Sequence, residues 1–221
     1  PLFMNYLLNN GFTKVIFTDP DLYFTSDHSF LFEELDRYNI SLTPHWPAIR
    51  LPEDEDSLFS VIRGGLFNAG FIAANTKAIT ALDWWAEMCH FKMEQQLLLG
   101  IHDDQKYLDI FPIYFDGVHI IRHKGCNLAS WNIKSCKREM VNGRLLINRE
   151  FEPVFIHFTK DTIANILNRN DALLKPYVDE YIQLLSENGF NLLKNQENLS
   201  PGRYSSGFYK LKHSLRLRTR L

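Results

Sequence analysis

Apolar and polar positions along the chain fall into blocks of helical and extended spacing. Leu2, Phe3, Tyr6, Leu7 and Leu8 recur at helical intervals and run into Asn9-Asn10-Gly11, a helix stop. Residues 14–18 (KVIFT) form a short apolar run between Gly11 and Asp19-Pro20, which predicts a strand buried on both faces. A short helix is expected over residues 30–38 and a strand over 40–43. Residues 45–63 are rich in Pro and acids without sustained period and predict a long loop. Residues 64–75 interleave glycine with apolar residues, suggesting a bent strand pair. Thr76 is positioned to cap an amphipathic helix reaching about Gln96, with Leu82, Trp85, Met88 and Cys89 on one face. A helix over 103–110, strands near 113–115, 119–121, 145–147 and 154–158, and helices over 161–167 and 171–188 complete the pattern. From Asn195 the chain turns polar and glycine-bearing.

Alternating strands and helices make an α/β domain the expected class, with ligands bound beyond the carboxyl ends of its strands. A core strand this early calls for sheet neighbours upstream, so the chain reads as an N-terminally truncated fragment. Residues 1–195 are expected to form a partial catalytic domain, and 196–221 a basic tail.

Charge sharpens that division. The net charge of −2 is unremarkable, but Glu197 is the last acid. Arg203, Lys210, Lys212, Arg216, Arg218 and Arg220 follow it, leaving 18 basic against 26 acidic residues in the rest. The tail interleaves bases with apolar residues, as interfacial anchors do, which suggests peripheral contact with an anionic membrane; a solvated, frayed terminus gives the same pattern. The acidic body argues against nucleic acid. No apolar run reaches the ~18 residues that span a bilayer. Three cysteines without C-x-x-C spacing read as reduced thiols in a cytoplasmic protein.

The chemistry centres on Asp19-Pro20-Asp21. Two carboxylates one residue apart, just past a strand, converge on one point at the sheet edge, where their repulsion and partial desolvation are costly. A divalent cation removes the conflict, and oxygen ligands favour Mg²⁺ or Mn²⁺ shared with phosphates. Asp-Pro-Asp is equally good turn chemistry.

Further motifs follow in order: Phe67-Asn68-Ala69-Gly70 leading to Asn75, Asp104-Gln105, Asn127 with Trp131-Asn132, and His157-Phe158-Thr159. Together with the D-x-D, they resemble the GT-A nucleotide-sugar glycosyltransferases, in particular the retaining, family-8-like group of bacterial surface-polysaccharide synthesis. The resemblance covers about residues 1 to 160. It implies a Rossmann-like mixed sheet flanked by helices and hexose transfer from a nucleoside-diphosphate sugar, UDP-linked, to a hydroxyl of a glycan or lipid-linked acceptor with retention. It implies Mn²⁺ (or Mg²⁺) held by Asp19, Asp21 and His157, with Asn68 and Gly70 at the transferred sugar. Asp104 would bond sugar hydroxyls, and Gln105 would lie on the face where the anomeric carbon is exposed. Asn127 and Trp131 are expected at the donor, Trp131 as a stacking surface.

Each residue also has a plainer reading. His157 suits a core histidine, Asn68 and Asn75 suit turns and caps, Asp104 suits a helix N-terminus, and Trp131 suits the core. The family's glycine and lysine after H-F are replaced by Thr159-Lys160-Asp161, where Lys160 is a candidate phosphate contact. Two rivals remain: an inactive sugar-nucleotide-binding remnant, and a haloacid-dehalogenase-like phosphatase. Against the phosphatase, Tyr23 stands where that family wants Thr or Val.

Overall fold

The computed structural model describes residues 1–48, 55–96 and 100–190. The chain divides into two compact units, Pro1–Phe158 and the part beginning at Thr159. The first is an α/β unit built on a mixed four-stranded sheet, in the order β1 (Lys14–Thr18), β4 (Phe67–Asn75), β3 (Ile40–Pro44), β7 (Val118–Ile120). β4 runs antiparallel to both neighbours, and β3 pairs with β7 in parallel.

Strand periodicity divides the core. Ile72 and Ala74 of β4 join Leu42, Val15, Leu8, Leu82, Trp85 and Phe111 in one cluster. Phe71 and Ala73 join Leu31, Leu35, Ile121, Val154 and Phe155 in another. Successive side chains of one strand thus feed two apolar clusters, as the pleat requires. The first cluster includes residues of α1 (Leu2–Asn9) and α4 (Ile79–Phe91); the second includes Leu31 of α2 (Phe30–Glu33) and Leu35 of the 3-10 turn that follows it.

Several expectations are corrected. Of β1 only Val15 is buried, and Phe17 is 42% exposed, because among the described residues β1 pairs on one side alone. Residues 64–75 hold one long strand, β4, instead of a bent pair. Its bend comes from a register slip: Leu42 faces Ile72, but Thr43 faces Asn68, so β3 skips Ala69, Gly70 and Phe71. The expected loop at 45–63 contains a helix, α3 (Glu55–Gly64); residues 49–54 lie outside the described set. Asn75, not Thr76, supplies the cap, accepting from the Lys77 amide, and α4 ends at Phe91. The chain then pairs as β5 (Gln95–Gln96) with β6 (Ile101–His102). The helix expected over 103–110 is a 3-10 turn, Gln105–Ile110, and the strand expected at 113–115 is replaced by a short helix, α5 (Phe111–Tyr114).

Beyond the sheet, β2 (Leu22–Phe24) pairs antiparallel with β10 (Phe155–His157), and β8 (Arg138–Val141) with β9 (Arg144–Ile147). The second unit contains α6 (Lys160–Leu167), capped by the Thr159 hydroxyl, and α7 (Lys175–Glu187). The three cysteines are free thiols. No helix among the described residues is long and apolar enough to cross a membrane. The basic tail lies outside the described residues.

Candidate metal centre and adjoining cleft

Asp19 and Asp21 sit on the turn between β1 and β2. The Asp19 amide donates to the Gly70 carbonyl at 2.8 Å, fixing the turn against the bent part of β4. β10 lies alongside β2 with His157 opposite Leu22, and the Phe158 amide donates to the Asp21 carbonyl at 2.8 Å. This pairing brings a residue more than a hundred positions away onto the acidic turn. His157 Nε2 lies 3.0 Å from Asp21 Oδ1 and 3.8 Å from Asp19 Oδ2. One ligand atom from each residue falls within 4.8 Å of the others.

The slipped register supplies the rest. The Ala69 and Gly70 amides find side-chain acceptors: Ala69 donates to Gln105 Oε1 (3.2 Å) and Gly70 to Asn68 Oδ1 (3.1 Å). Gln105 Oε1 also accepts from Asn68 Nδ2 (3.1 Å), while its own NH₂ donates to the Gly64 carbonyl (2.7 Å). These bonds fix the Asn68 amide with its oxygen toward His157 Nδ1, at 3.2 Å. An oxygen can only accept, so Nδ1 carries a proton and Nε2 faces the carboxylates. A ring nitrogen 3.0 Å from a carboxylate oxygen is held there by a proton or a metal ion between them. Two carboxylates and an imidazole, with the second ring nitrogen anchored, form a donor set suited to Mn²⁺.

The electrostatics agree. Burial raises the Asp19 carboxyl above its ordinary range; nearby His157 opposes the shift, and the charges of Asp21 and Asp104 add to it. Burial acts on Asp21 in the same sense, but its hydrogen bond to His157, the imidazole's charge and a backbone hydrogen bond outweigh it and leave that carboxyl lowered. Burial raises Asp104 as well.

A cleft of about 160 Å³ opens beside the cluster, lined by Asp19, Asn68, Gly70, Asp104 and Gln105, with Phe17, Ala69, His102 and Asp103. The expected sugar-side residues therefore share one hollow with a metal-side carboxylate. Trp131 stands edge-on to His157 (5.4 Å between ring centres), and its indole N–H is buried without a hydrogen-bond partner. Asn127 is fully buried at φ +62°, and neither polar atom of its amide has a partner. Lys160 begins α6 in the second unit. Asn75 is committed elsewhere: it donates to the Leu35 and Tyr38 carbonyls as well as capping.

Two histidines of the site belong to no motif. His45 holds the Gly65 carbonyl through Nδ1 (2.9 Å), faces Asn68 Nδ2 at 3.4 Å and meets Trp131 edge-on at 5.5 Å. Burial brings its pKa down to about 4, so it is neutral and its Nε2 accepts from Asn68. His102 lines the cleft with a buried, unpartnered Nδ1. Only the pairing of distant segments reveals either one.

No protein-family model matches the chain. Two proteins of Bacillus subtilis (strain 168) are similar to it, each described as uncharacterized. YfnD is 34% identical over 150 residues, covering 66% of this chain and 46% of that protein. YfnF is 26% identical over 212 residues, covering 91% of this chain and 68% of that protein. The chain thus spans about half the length of the first and about two thirds of the second.

Proposed function

We propose that this chain belongs to a metal-dependent glycosyltransferase of the GT-A type and carries the metal and sugar sites of a hexosyl transfer from a nucleoside-diphosphate sugar to a glycan or lipid-linked hydroxyl. The observation behind this reading is the closure of Asp19, Asp21 and His157 on one point beside a cleft lined by Asn68, Gly70, Asp104 and Gln105. The cleft is smaller than the ~300–1,000 Å³ pockets that enclose whole drug-sized ligands, in keeping with one sugar ring inside and the nucleotide outside.

Asp19, Asp21 and His157 would hold Mn²⁺ or Mg²⁺. When bound, the ion supplies Lewis-acid neutralisation of the charge on a leaving diphosphate. The protein's own groups do the rest. Gln105 orients Asn68, and Asn68 fixes the His157 tautomer. Asp104, its carboxyl raised by burial, offers an acceptor or donor to a sugar hydroxyl. Gly70, having no side chain, lets His157, Asn68 and Asp19 close in over the backbone, where any Cβ would collide with all three. Trp131 and Asn127 bring a buried indole N–H and an unsatisfied amide, groups that a polar ligand would satisfy.

The test is calorimetric titration of UDP-hexoses with and without Mn²⁺, together with slow UDP-hexose hydrolysis. Mn²⁺-dependent binding should weaken by about 10-fold or more in D19N and in H157Q. Binding without turnover would favour a sugar-nucleotide-binding remnant. Metal-dependent release of phosphate from simple monoesters, with no affinity for UDP-hexoses, would sink the transferase reading.

A further inference from the structure

Between Asp116 and Glu139 the chain carries Arg122, Lys124, Lys134, Lys137 and Arg138 and not one acid, in a protein whose net charge is −2. Like charges so concentrated repel each other and need a reason for their placement. The same segment contributes Asn127 and Trp131 to the surroundings of the site.

Two of these cations are gathered on one aromatic ring. Arg122 Cζ lies 5.9 Å and Lys124 Nζ 4.8 Å from the centre of the Trp46 ring, both within cation–π range. Among the described residues neither forms an ion pair with a carboxylate. Arg122 is exposed, and Lys124 makes a long bond, 3.4 Å, to the Ser135 carbonyl. Trp46 itself adopts φ +51°, a conformation a bulky residue seldom takes without a compensating contact. An indole face attracts cations without neutralising them, and no carboxylate among the described residues offsets either charge. The group adjoins the metal centre: His45 precedes Trp46, packs edge-on against Trp131 at 5.5 Å, and Trp131 packs against His157 at 5.4 Å.

We infer that Trp46, Arg122 and Lys124 form an anion site for the acceptor of the proposed transfer, and that this acceptor is a glycan bearing a phosphate group. The inference rests on the transferase reading and adds the substrate class to it. A bidentate guanidinium and a neighbouring ammonium suit phosphate oxygens, and the indole offers an apolar surface to the sugar carrying them.

The test uses the whole chain, glucose 1-phosphate as probe and calorimetric titration in EDTA, then again with Mn²⁺ and saturating UDP. Glucose 1-phosphate should bind in both conditions, more weakly at high salt, while glucose should not bind. R122A/K124A should weaken this binding by about 10-fold and leave Mn²⁺-dependent UDP binding unchanged. W46L should weaken it less, and D19N should leave it unaltered. Equal binding by R122A/K124A and the natural chain would overturn the inference. So would competition by UDP, which would make the cations part of the donor's diphosphate site. Because D19N removes only the metal-dependent signal, failure of the transferase reading is seen separately.

Discussion

Gly70 and His157 approach so closely that a β-carbon on the glycine would lie 2.6 Å from the imidazole Cε1. The same carbon would meet Asn68 Oδ1 at 2.7 Å and Asp19 Oδ2 at 2.9 Å, all inside ordinary contact distance. The absence of a side chain at position 70 thus allows a metal-side acid, the imidazole and its orienting amide to converge. Gly70→Ala should cost about 1–3 kcal/mol by overpacking. It should also lower Mn²⁺ affinity at least about 10-fold, because His157 must move to admit the methyl group. Urea unfolding and Mn²⁺ titration of the variant measure the two effects; a variant with unchanged metal affinity would show that the imidazole is not a ligand.

Gln105 is tied to three neighbours, donating to Gly64 and accepting from Asn68 and Ala69. Gln105→Ala leaves the Ala69 amide and the Gly64 carbonyl without partners, which should cost about 1–3 kcal/mol. Asn68 would lose its anchor, and Mn²⁺ affinity should fall about 10-fold through the loosened imidazole. Loss of UDP-hexose turnover at full Mn²⁺ affinity would instead mean that Gln105 touches the sugar directly.

The acidic turn and the H-F strand end were legible because each lies where an apolar run meets a polar break, whereas the F-N-A-G stretch, inside an apolar run, stood out only by its place in the order of motifs. What periodicity could not convey was pairing. The register slip between Leu42 and Thr43 is set by which strand lies alongside β4, and it decides that Ala69 and Gly70 turn to side-chain acceptors. β1 looked doubly buried because Val15, Ile16 and Phe17 are all apolar, yet burial depends on neighbours that local pattern does not specify. Phe111–Tyr114 form a helical turn despite aromatic, β-favouring composition: Pro112 sits at a helix start, and Phe111 is anchored among Trp84, Trp85 and Phe115. His45 and His102 carry no motif, and only tertiary structure brings them to the site.

Asn75 ends the F-N-A-G-x-x-x-x-N pattern, but its amide serves the fold. The oxygen caps the Lys77 amide, and the nitrogen bonds the Leu35 and Tyr38 carbonyls at 2.9 Å each. Asn75→Asp keeps the acceptor, loses both donors and turns a charge toward two carbonyl oxygens. It should destabilise by about 2–4 kcal/mol in denaturant unfolding. Mn²⁺ affinity of the folded variant should stay within about twofold, since distant sites act independently. A large loss of metal affinity would place Asn75 in the site after all.

His45 makes folding stability depend on pH in a definite direction. Its pKa falls from 6.5 to about 4 in the folded protein, chiefly through burial, with nearby His102 and His157 adding to the effect. Between those values the unfolded chain binds a proton at this position and the folded chain does not, so stability falls as pH drops through the window. The loss from this one residue is on the order of 3 kcal/mol, reached near pH 4. Protonation would also put a donor on Nε2, where the Asn68 NH₂ now needs an acceptor, and would disturb the orientation of Asn68 toward His157. Replacing the imidazole removes the titration, so His45→Gln should flatten the stability profile between pH 6.5 and 4 relative to the natural chain. Urea midpoints of both proteins across that range provide the measurement, and parallel profiles would mean that His45 is not held neutral by the fold.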